Sequence, residues 1–583
     1  MGLRLPVLRS PDFPGVHRDQ AAVSRPRPTV AGAAPCVAVD PARIRTLIAA
    51  VVRGRIGGTF WATPTHLGDV QAILRPADAG QAERMARAAL ATCPAEQVLA
   101  SLPAASWVAP VRRRLTQQGI AVVEGEIDPW SLLTTAAVLH VDGDDELAFL
   151  GLISGAAVRC HGDGRFAGLG LTTDDPAIFQ KTAMTVESLA ATVLLDQAQY
   201  RDPFTGTDAS AETAIERLIF WRGALEANRG VASGAGIAVW KRREVEGMLH
   251  PGGNMRLRFA QTAAGAVQAA VAEGGGIAVW PSRAPPGLTE AAAAAGIPLY
   301  RIEDGFVRSV GLGAACHPPL SVVLDRTGIY YDPTGPSDLE TILATTDFSP
   351  GLTERAAALA AFIVRAGISK YAAGRGAAAD LPTGVRRVLV TGQVEDDLSV
   401  RLAGGDVAGN LDLLRRVRAA EPDAFIVFKP HPDVEAGLRP GHVAEADALA
   451  YADRVLRDVA MPALLDAVDC VHVLTSLAGF EALLRGREVV THGHPFYAGW
   501  GLTRDLAGPL PRRTRQLRLT ELVAGALILY PRYLDPVTRL PCPPEVLMAR
   551  LSEQTRPRST WLTRVRDMQG RLRRSGRRAR SAA

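Results

Sequence analysis

Two adjacent carboxylates, Glu303 and Asp304, follow a predicted strand near the middle of the chain. Open parallel α/β sheets place their binding sites outside the carboxyl ends of their strands. A carboxylate at such a position can act as a nucleophile or a general base. Arg308 and the neighbouring Ser309 add groups that could bind an anionic substrate. The competing interpretation is a turn with solvated acids, which is the commoner outcome for an arbitrary Glu-Asp-Gly sequence.

A second group ends the predicted strand 425–428, in the run Lys429-Pro-His-Pro-Asp433. Pro432 rigidifies the turn, and the imidazole of His431 could donate a hydrogen bond to a phosphate or a leaving group. A surface turn is the alternative.

A third group lies between the predicted strand 470–473 and the predicted helix 477–484. Ser476 is a plausible N-cap, and the hydroxyls of Thr475 and Ser476 with free N–H groups would suit a phosphate. Glu481, one turn into the helix, could accept hydrogen bonds from ribose hydroxyls. A capped helix alone explains Ser476 equally well.

Gln393 follows the predicted strand 388–391 and faces the same expected cleft, as do the acids at 395–397, for which a polar loop is equally plausible. The acidic run 142–146 looks like a metal site, but its place in the repeat described below indicates a decayed phosphate loop. His492 and His494 near a Gly-rich turn could be structural. Because no Asp/His ligands cluster, we predict no metal ion, and no cofactor either.

Buried apolar strands that alternate with helices must position these residues. Further strands are predicted at 236–240, 276–280, 298–302 and 489–491, and further helices at 410–420 and 461–467. This alternation is typical of parallel α/β sheets. It predicts two Rossmann-type lobes, at about 230–345 and 385–515, with a cleft between them and an Ala-rich helical connection at 353–380.

An internal repeat links the two ends of the chain. Residues 154–174 recur 331 positions later at 485–505, and the sequence Tyr-Arg-Asp-Pro at 200–203 resembles Tyr-Leu-Asp-Pro at 533–536. Chance explains so many identities at one spacing poorly. The N-terminal region is therefore predicted to be a degenerate copy of the last lobe. At the repeat offset Leu150 replaces Glu481, and acids replace Thr475 and Ser476.

Charge is distributed unevenly over the 583 residues. The chain has 65 Lys+Arg against 60 Asp+Glu, a net charge of +5. Residues 551–583 hold ten Arg and two acids, a net +8, so the first 550 residues carry −3. The tail has apolar residues at helical spacing, which would suit an anionic membrane surface, although a disordered solvated tail is an equal alternative. Without an aromatic-rich basic patch, we expect no nucleic-acid partner.

Several classes of protein are excluded by gross features. Six scattered cysteines without a C-x-x-C pair favour a reducing compartment over a disulfide framework. The sequence contains no run of about 18 apolar residues, so we predict no transmembrane helix. The first residues lack the apolar region of a secretory signal. A Pro/Arg/Gly-rich start predicts a loose arm.

These residues together resemble the capsular polysaccharide biosynthesis family of the KpsC/LipB type. The resemblance rests on six blocks in order over about 230–550: 301–313, 318–332, 390–397, 429–433, 475–481 and 495–503. It implies a GT-B fold and transfer of 3-deoxy-D-manno-oct-2-ulosonic acid (Kdo) from CMP-β-Kdo to a lipid-linked acceptor of the phosphatidylglycerol type. It also implies retention of configuration, a cytoplasmic protein peripheral to the inner membrane, and contact with other capsule assembly proteins.

The resemblance assigns roles residue by residue. Asp304 would be the nucleophile of a double displacement, with Glu303 as its helper, by the logic of retaining glycosidases. Donor binding would fall to the residues that match the later blocks and to nearby cations, namely Arg308, Gln393, Lys429, His431, Pro432, Thr475, Ser476 and Glu481. No Glu-Asp-Gly-Phe or His-Pro-Asp block precedes residue 230, so the first module is expected to be catalytically dead or much reduced.

The expected organisation has six parts: a disordered or loose arm at 1–40, a degenerate transferase-like module at 41–228, a first lobe at 229–350, a helical linker at 351–384, a nucleotide-binding second lobe with closing helices at 385–550, and a basic amphipathic tail at 551–583. Two other functions stay open. One is a GT-B transferase for another nucleotide sugar, and the other is a non-catalytic scaffold of a capsule assembly complex.

Overall fold

The computed structural model describes residues 6–27, 40–68, 70–133, 136–175, 184–253, 255–307, 318–369, 380–437 and 439–553. The chain divides into two compact units. Unit 1 comprises residues 1–229 and 250–255, and unit 2 comprises residues 230–249 and 256–583. Arg308 and residues 554–583, which include nearly all of the basic tail, lie outside the described residues.

Unit 1 is built around a six-stranded parallel sheet in the order β4-β3-β2-β5-β6-β7. Its strands are β1 (Ser24–Pro26), β2 (Ala72–Arg75), β3 (Val98–Leu102), β4 (Ala121–Glu124), β5 (Val138–Asp142), β6 (Ala157–His161), β7 (Thr173–Asp174), β8 (Ala198–Arg201) and β9 (Asp208–Ala209). Its helices are α1 (Arg18–Ala21), α2 (Pro41–Gly54), α3 (Ala79–Leu90), α4 (Val108–Gln117), α5 (Pro129–Leu133), α6 (Glu146–Ile153), α7 (Val186–Ala191) and α8 (Ala211–Asn228).

The expected loose arm is wrong for residues 6–27. β1 pairs antiparallel with β8, and the side chains of Val7, Leu8 and Phe13 are buried. The Pro/Arg-rich composition hid this order because few apolar residues are needed to anchor a short segment. Burial of each such side chain stabilises its position by roughly 1.5–3 kcal/mol.

Unit 2 contains two sheets. Its strands are β10 (Val231–Ala235), β11 (Arg258–Ala260), β12 (Gly276–Val279), β13 (Leu299–Asp304), β14 (Ser321–Asp325), β15 (Arg387–Thr391), β16 (Phe425–Lys429), β17 (Arg454–Val455), β18 (Cys470–Val473), β19 (Glu488–Thr491), β20 (Arg504–Asp505), β21 (Pro531–Leu534) and β22 (Pro541–Cys542). Its helices are α9 (Val239–Met248), α10 (Ala263–Glu273), α11 (Leu288–Ala294), α12 (Asp338–Thr345), α13 (Pro350–Ala366), α14 (Leu398–Ala403), α15 (Asn410–Ala420), α16 (Pro432–Glu435), α17 (Glu445–Leu449), α18 (Met461–Ala467), α19 (Leu477–Leu483), α20 (Leu519–Val523) and α21 (Pro544–Ser552).

The first lobe of unit 2 holds the sheet β11-β10-β12-β13-β14-β21-β22, in which β14, β21 and β22 run antiparallel to their neighbours. The predicted strand 236–240 is wrong: the strand is β10, and α9 begins at Val239. Gly236 follows the last residue of β10 with φ +70°, and a Cβ there would lie 2.6 Å from the carbonyl oxygen of Arg283. The small residues of β10 gave no apolar signal, whereas the apolar residues after the turn did.

The second lobe of unit 2 holds the parallel sheet β17-β16-β15-β18-β19-β20. The predicted strands and helices of this lobe are confirmed to within one residue at either end. The boundary at 385–550 differs, because β21 and β22 return to the sheet of the first lobe. The predicted α/β architecture of two Rossmann-type lobes is thus confirmed, with the closing segment crossing back to the first lobe.

The internal repeat is visible as the same sheet order in unit 1 and in the second lobe of unit 2. In unit 1 the buried rings of His140 and His161 approach to 3.1 Å between Nδ1 and Nε2, and in unit 2 the rings of His472 and His492 approach to 3.0 Å. Each copy also contains a π-helical turn before its next strand, at Thr192–Asp196 and Ala524–Leu529. The N-terminal region is therefore a partial copy of the last lobe, as predicted.

Among the described residues, no helix is both long and apolar enough to cross a membrane. The described cysteines, Cys93, Cys160, Cys470 and Cys542, are free thiols.

Candidate active site

A cavity of about 830 Å³ lies in unit 2 and is lined by residues of both lobes. The first lobe contributes Gly305, Phe306, Tyr330 and Tyr331, and the second contributes Thr391, Gln393, Lys429, His431, Pro432, Thr475, Ser476 and Glu481, among others. The structure therefore brings together all the described residues that the sequence assigned to donor binding. Their convergence follows from topology, since β15, β16 and β18 are parallel neighbours whose carboxyl ends meet at one edge.

Gln393 connects two of these strand ends through its side-chain amide. Its Oε1 accepts from the backbone N–H of Thr475 at 2.8 Å, and its Nε2 donates to Thr475 Oγ1 at 2.9 Å. The backbone N–H of Gln393 donates to Asn410 Oδ1 at 2.8 Å. With both ends of its amide bonded to Thr475, Gln393 fixes the position of the hydroxyl pair at 475–476.

Ser476 is the N-cap of α19, as predicted, and its Oγ accepts from the backbone N–H of Ala478 at 3.2 Å. Tyr497 stabilises this turn by donating its hydroxyl hydrogen to the carbonyl oxygen of Ser476. Glu481 lies on α19 and is 7% exposed. A carboxylate at such a buried position on the cavity wall can accept hydrogen bonds from ligand hydroxyls.

His431 caps the short helix α16 through its ring, with Nδ1 accepting from the backbone N–H of Asp433 at 3.1 Å. Because that amide can only donate, the neutral ring carries its hydrogen on Nε2. The ammonium of Lys429 is buried and donates to the carbonyl oxygen of Arg457 at 2.9 Å. Burial lowers the pKa of Lys429, while the charges of Asp458 and Glu435 oppose that shift.

Glu303 and Asp304 end β13, and the next residues, Gly305 and Phe306, line the cavity. Asp304 Oδ1 lies 3.0 Å from Nζ of Lys241, and Glu303 Oε1 accepts from the backbone N–H of Asp304 at 2.9 Å. The predicted carboxylate pair therefore lies at a strand end directly before two lining residues, while neither carboxylate is itself among the residues that line the cavity. A turn with solvated acids is wrong, since the side chain of Asp304 is only 20% exposed.

Lys241 was missed by sequence reasoning. It lies on α9, directly after the segment 236–240 for which a strand was predicted, and its ammonium lies 3.4 Å from the ring centroid of Trp280. A usable signal existed: the chain has four lysines among its 65 basic residues, and Lys241 and Lys429 are two of them. In a chain that uses Arg almost throughout, a Lys draws attention to its position, because a compact ammonium and a planar guanidinium are not interchangeable.

Aromatic rings form the apolar part of the cavity. The ring of Phe306 stacks on Phe496 at 4.3 Å and meets Tyr330 edge-on at 4.8 Å. Tyr331 is buried, and its hydroxyl oxygen has no hydrogen-bond partner among the described residues. Burial, and secondarily the charge of Glu303, raises the pKa of both Tyr330 and Tyr331, which keeps these phenols protonated.

The acids at 395–397 serve the protein itself. Glu395 accepts from the backbone N–H of Asn410 at 2.9 Å, and Asp397 caps α14 by accepting from Ser399. Asp396 pairs with Arg439 at 2.8 Å. The interpretation of these acids as a polar loop is therefore the better one, although Asp397 and Arg439 do reach the cavity wall.

Within the described chain one group, Glu421, Cys470 and His472, has possible metal-ligand atoms that all lie within 4.8 Å of one another. Arg386 and Arg504 already bind Glu421, at 3.0 and 3.3 Å. Burial raises the pKa of the Cys470 thiol to about 12. Two guanidinium groups and a protonated thiol are unfavourable neighbours for a cation.

In unit 1, ion pairs occupy the strand ends that correspond to the cavity-lining strand ends of unit 2. The equivalence follows from the strand pairings of the two sheets. Leu74 is paired with His140 in unit 1 as Val390 is paired with His472 in unit 2. The next residue along each strand is therefore equivalent, so Arg75 of unit 1 corresponds to Thr391 of unit 2. Asp145 caps α6 as Ser476 caps α19, and it accepts from Arg75 at 2.7 Å. The next residue, Glu146, pairs with Arg9 at 2.5 Å. The acidic run is thus occupied by protein cations, and Leu150 replaces Glu481.

Comparison with known proteins shows that the sequence is similar to one protein family. A model of the capsule polysaccharide biosynthesis protein family matches residues 276–375 and 350–533. The capsule polysaccharide modification protein LipA of Neisseria meningitidis serogroup A is 36% identical over 429 residues, which cover 72% of this chain and 60% of LipA. The lipopolysaccharide-processing protein LpsZ of Rhizobium meliloti is 45% identical over 257 residues, 42% of this chain and 58% of LpsZ.

Two solved structures are also similar. The β-Kdo 2,7 transferase of Thermosulfurimonas dismutans KpsC is 33% identical, covers 56% of this chain and 99% of its own, and has a TM-score of 0.45. The β-Kdo 2,4 transferase of the same protein is 31% identical, covers 55% and 98%, and has a TM-score of 0.47. The chain spans about 60% of the length of the LipA relatives that it matches.

Proposed function

The chain belongs to the capsule polysaccharide biosynthesis protein family, and from that premise we propose that it is a retaining glycosyltransferase of capsule assembly. Unit 2 would transfer Kdo from CMP-β-Kdo to a lipid-linked acceptor that carries Kdo. The observation that carries the proposal is the single cavity wall formed by Gln393, Lys429, His431, Ser476 and Glu481, with Asp304 directly before the lining residue Gly305.

The cavity suits a nucleotide sugar in size and chemistry. Its volume of about 830 Å³ falls in the range of roughly 300–1,000 Å³ typical of ligand sites. Hydroxyls at 475–476, the Nε2–H of His431 and the ammonium of Lys429 offer donors to a phosphate. Glu481 offers an acceptor to ribose hydroxyls. The phosphate and the sugar carboxylate would thus meet donors, while the rings around Phe306 contact the apolar faces of the ligand.

Asp304 would act in two displacements. In the first, its carboxylate attacks the anomeric carbon, the bond from that carbon to the phosphate oxygen breaks, and CMP leaves with the electron pair. In the second, an acceptor hydroxyl attacks the same carbon, the ester bond breaks, and the electron pair returns to Asp304. The hydroxyl proton would pass to Glu303, the neighbouring carboxylate. Two inversions give net retention.

Unit 1 would not transfer sugar. Ion pairs of Arg75 with Asp145 and of Arg9 with Glu146 take the place of the hydroxyl pair, and their carboxylates would repel a phosphate. The unit would instead dock an acceptor or a partner of the capsule assembly complex. One active unit predicts one type of β-Kdo linkage.

The acceptor and the location follow from the same proposal. A phosphatidylglycerol-type acceptor would place the protein on the cytoplasmic face of the inner membrane, and the basic residues after 551 would contact anionic lipid there. Liposome flotation of the chain with and without residues 556–583 tests this location. Equal binding by both forms would contradict a role for the tail.

Turnover with CMP-Kdo, UDP-sugars and GDP-sugars on a short lipid-linked Kdo acceptor tests the activity. We expect a product of one added Kdo in β configuration, found by mass and linkage analysis, with CMP-Kdo alone as donor. Asp304→Ala should abolish it, whereas the exposed control Asp347→Ala should not. Transfer from another nucleotide sugar would favour the broader GT-B alternative, and absence of both turnover and nucleotide binding would favour the scaffold.

A further inference from the structure

The ammonium of Lys241 contacts one carboxylate and lies near two aromatic rings in the first lobe of unit 2. Nζ lies 3.0 Å from Asp304 Oδ1, 3.4 Å from the ring centroid of Trp280 and 5.3 Å from that of Trp240. The lysine side chain is 11% exposed and that of Asp304 is 20% exposed. A charge pair with so little solvent interacts more strongly than a surface pair, and the aromatic face keeps the ammonium from swinging away.

This contact has opposite effects on the two displacements of the proposed reaction. Asp304 begins as an anion, so its pairing with Lys241 stabilises the starting state and is lost as the ester forms. In the second displacement negative charge returns to the departing carboxylate, and the fixed ammonium stabilises that charge in the transition state. Only interactions stronger in the transition state accelerate a step, so Lys241 favours release of the sugar over its capture.

We propose that Lys241 is a positioning residue that drives the second displacement, by stabilising Asp304 as it leaves the anomeric carbon. The inference rests on the proposed function and extends it to a residue outside the six motif blocks. The ammonium donates a hydrogen bond and neither gains nor loses a proton. The bond that breaks joins the carboxylate oxygen to the sugar, and its electron pair stays on Asp304 beside Nζ.

The test separates the two displacements in the full-length chain. Protein is mixed with CMP-Kdo alone, CMP release is timed, and the covalent adduct is measured by intact-protein mass spectrometry. Acceptor is then added and decay of the adduct is followed. Variants are Lys241→Met, which keeps length and apolar contact, Lys241→Arg, which keeps the charge, and Arg243→Met, which removes an exposed charge from the same helix.

We expect Lys241→Met to slow adduct decay by on the order of 100-fold, the lower end for loss of a donor aimed at developing charge, while CMP release is not slowed and becomes faster if the pairing with Asp304 holds back the first displacement. The adduct should then accumulate during turnover. Lys241→Arg should restore most of the decay rate, and Arg243→Met should match the wild type. Thermal unfolding of each variant reports whether the fold is kept, and a purely structural role would slow both displacements together.

Two results would overturn the inference, and they differ. If the wild-type chain turns over but Lys241→Met slows both displacements equally, or neither, Lys241 has no selective role and the proposed function stands. If the wild-type chain neither releases CMP nor carries an adduct, the donor assignment itself is wrong and the inference falls with it.

Discussion

The buried histidine pairs make the stability of each unit depend on pH. His472 is 0% exposed and His492 is 5% exposed. Burial, together with the neighbouring ring, lowers the pKa of His472 to about 4, and burial lowers that of His492 to about 4 as well. His140 and His161 in unit 1 have pKa values of about 4 for the same reason. Unfolding exposes these rings and returns them to about 6.5.

The sign follows from proton uptake. Between pH 4 and 6.5 the unfolded chain binds more protons at these rings than the folded chain, so stability is greatest above pH 6.5 and falls as pH decreases towards 4. With pKa values of about 4 and 6.5, each histidine costs about 2 kcal/mol at pH 5 relative to neutral pH. Because the ring of His492 causes part of the shift of His472, the two costs overlap, and the pair of unit 2 weakens its sheet by about 2 to 4 kcal/mol, a large part of a typical domain stability.

Hydrogen exchange measures this loss of stability locally, because His472 lies on β18 and His492 directly follows β19. Opening free energies of those strands, corrected for intrinsic exchange, should fall by about 2 to 4 kcal/mol between pH 7.5 and 5 in the wild type. His492→Gln should be less stable at pH 7.5 but should lose only about half as much. His442→Gln, at an exposed position, should follow the wild type. A wild-type profile that is flat over this range would refute the reasoning.

Three further predictions concern the cavity. Gln393→Leu removes both hydrogen bonds to Thr475, so the Michaelis constant for the donor should rise roughly 10- to 100-fold; an unchanged constant in steady-state kinetics would contradict the positioning role. Tyr331→Phe removes a hydroxyl without a partner among the described residues, so the unfolding midpoint should hold while donor affinity falls about tenfold; calorimetric titration decides. Ser476→Asp reproduces the cap that Asp145 provides in unit 1, so it should keep the stability of the protein. Its negative charge should abolish nucleotide binding, whereas the neutral variant Ser476→Asn should retain most of the nucleotide binding.

The second lobe was predictable from sequence because its strands are long apolar runs with clear ends. The β-branched and aromatic residues of β15, β16, β18 and β19 indicate strands. The polar residues that follow the last position of these strands indicate a binding site. The convergence of Gln393 with Thr475 followed in turn from the rule that parallel strands present their carboxyl ends at one edge.

Other features could not be predicted, for physical reasons. β10 consists mostly of small residues whose burial depends on the helices around them, so periodicity carried no signal. The return of β21 to β14 joins residues about 200 positions apart in sequence, and local patterns do not contain such pairings. The contact between Lys241 and Asp304 spans 63 positions and depends on where α9 begins, which sequence reasoning had placed inside a strand.

The two copies of the lobe separate what the fold requires from what the site requires. Both copies keep the sheet order, the histidine pair and the π-helical turn, which bury apolar surface and satisfy backbone groups. They differ at the positions that face the cavity in unit 2, where Thr391, Ser476 and Glu481 correspond to Arg75, Asp145 and Leu150. Since the cap of α6 is as good with Asp145 as that of α19 is with Ser476, stability does not explain the difference. The proposed ligand binding would explain it, because a neutral hydroxyl both caps the helix and admits a phosphate, whereas an aspartate only caps it. Under the proposed function, the residues of unit 2 at these positions are set by the nucleotide and not by the sheet.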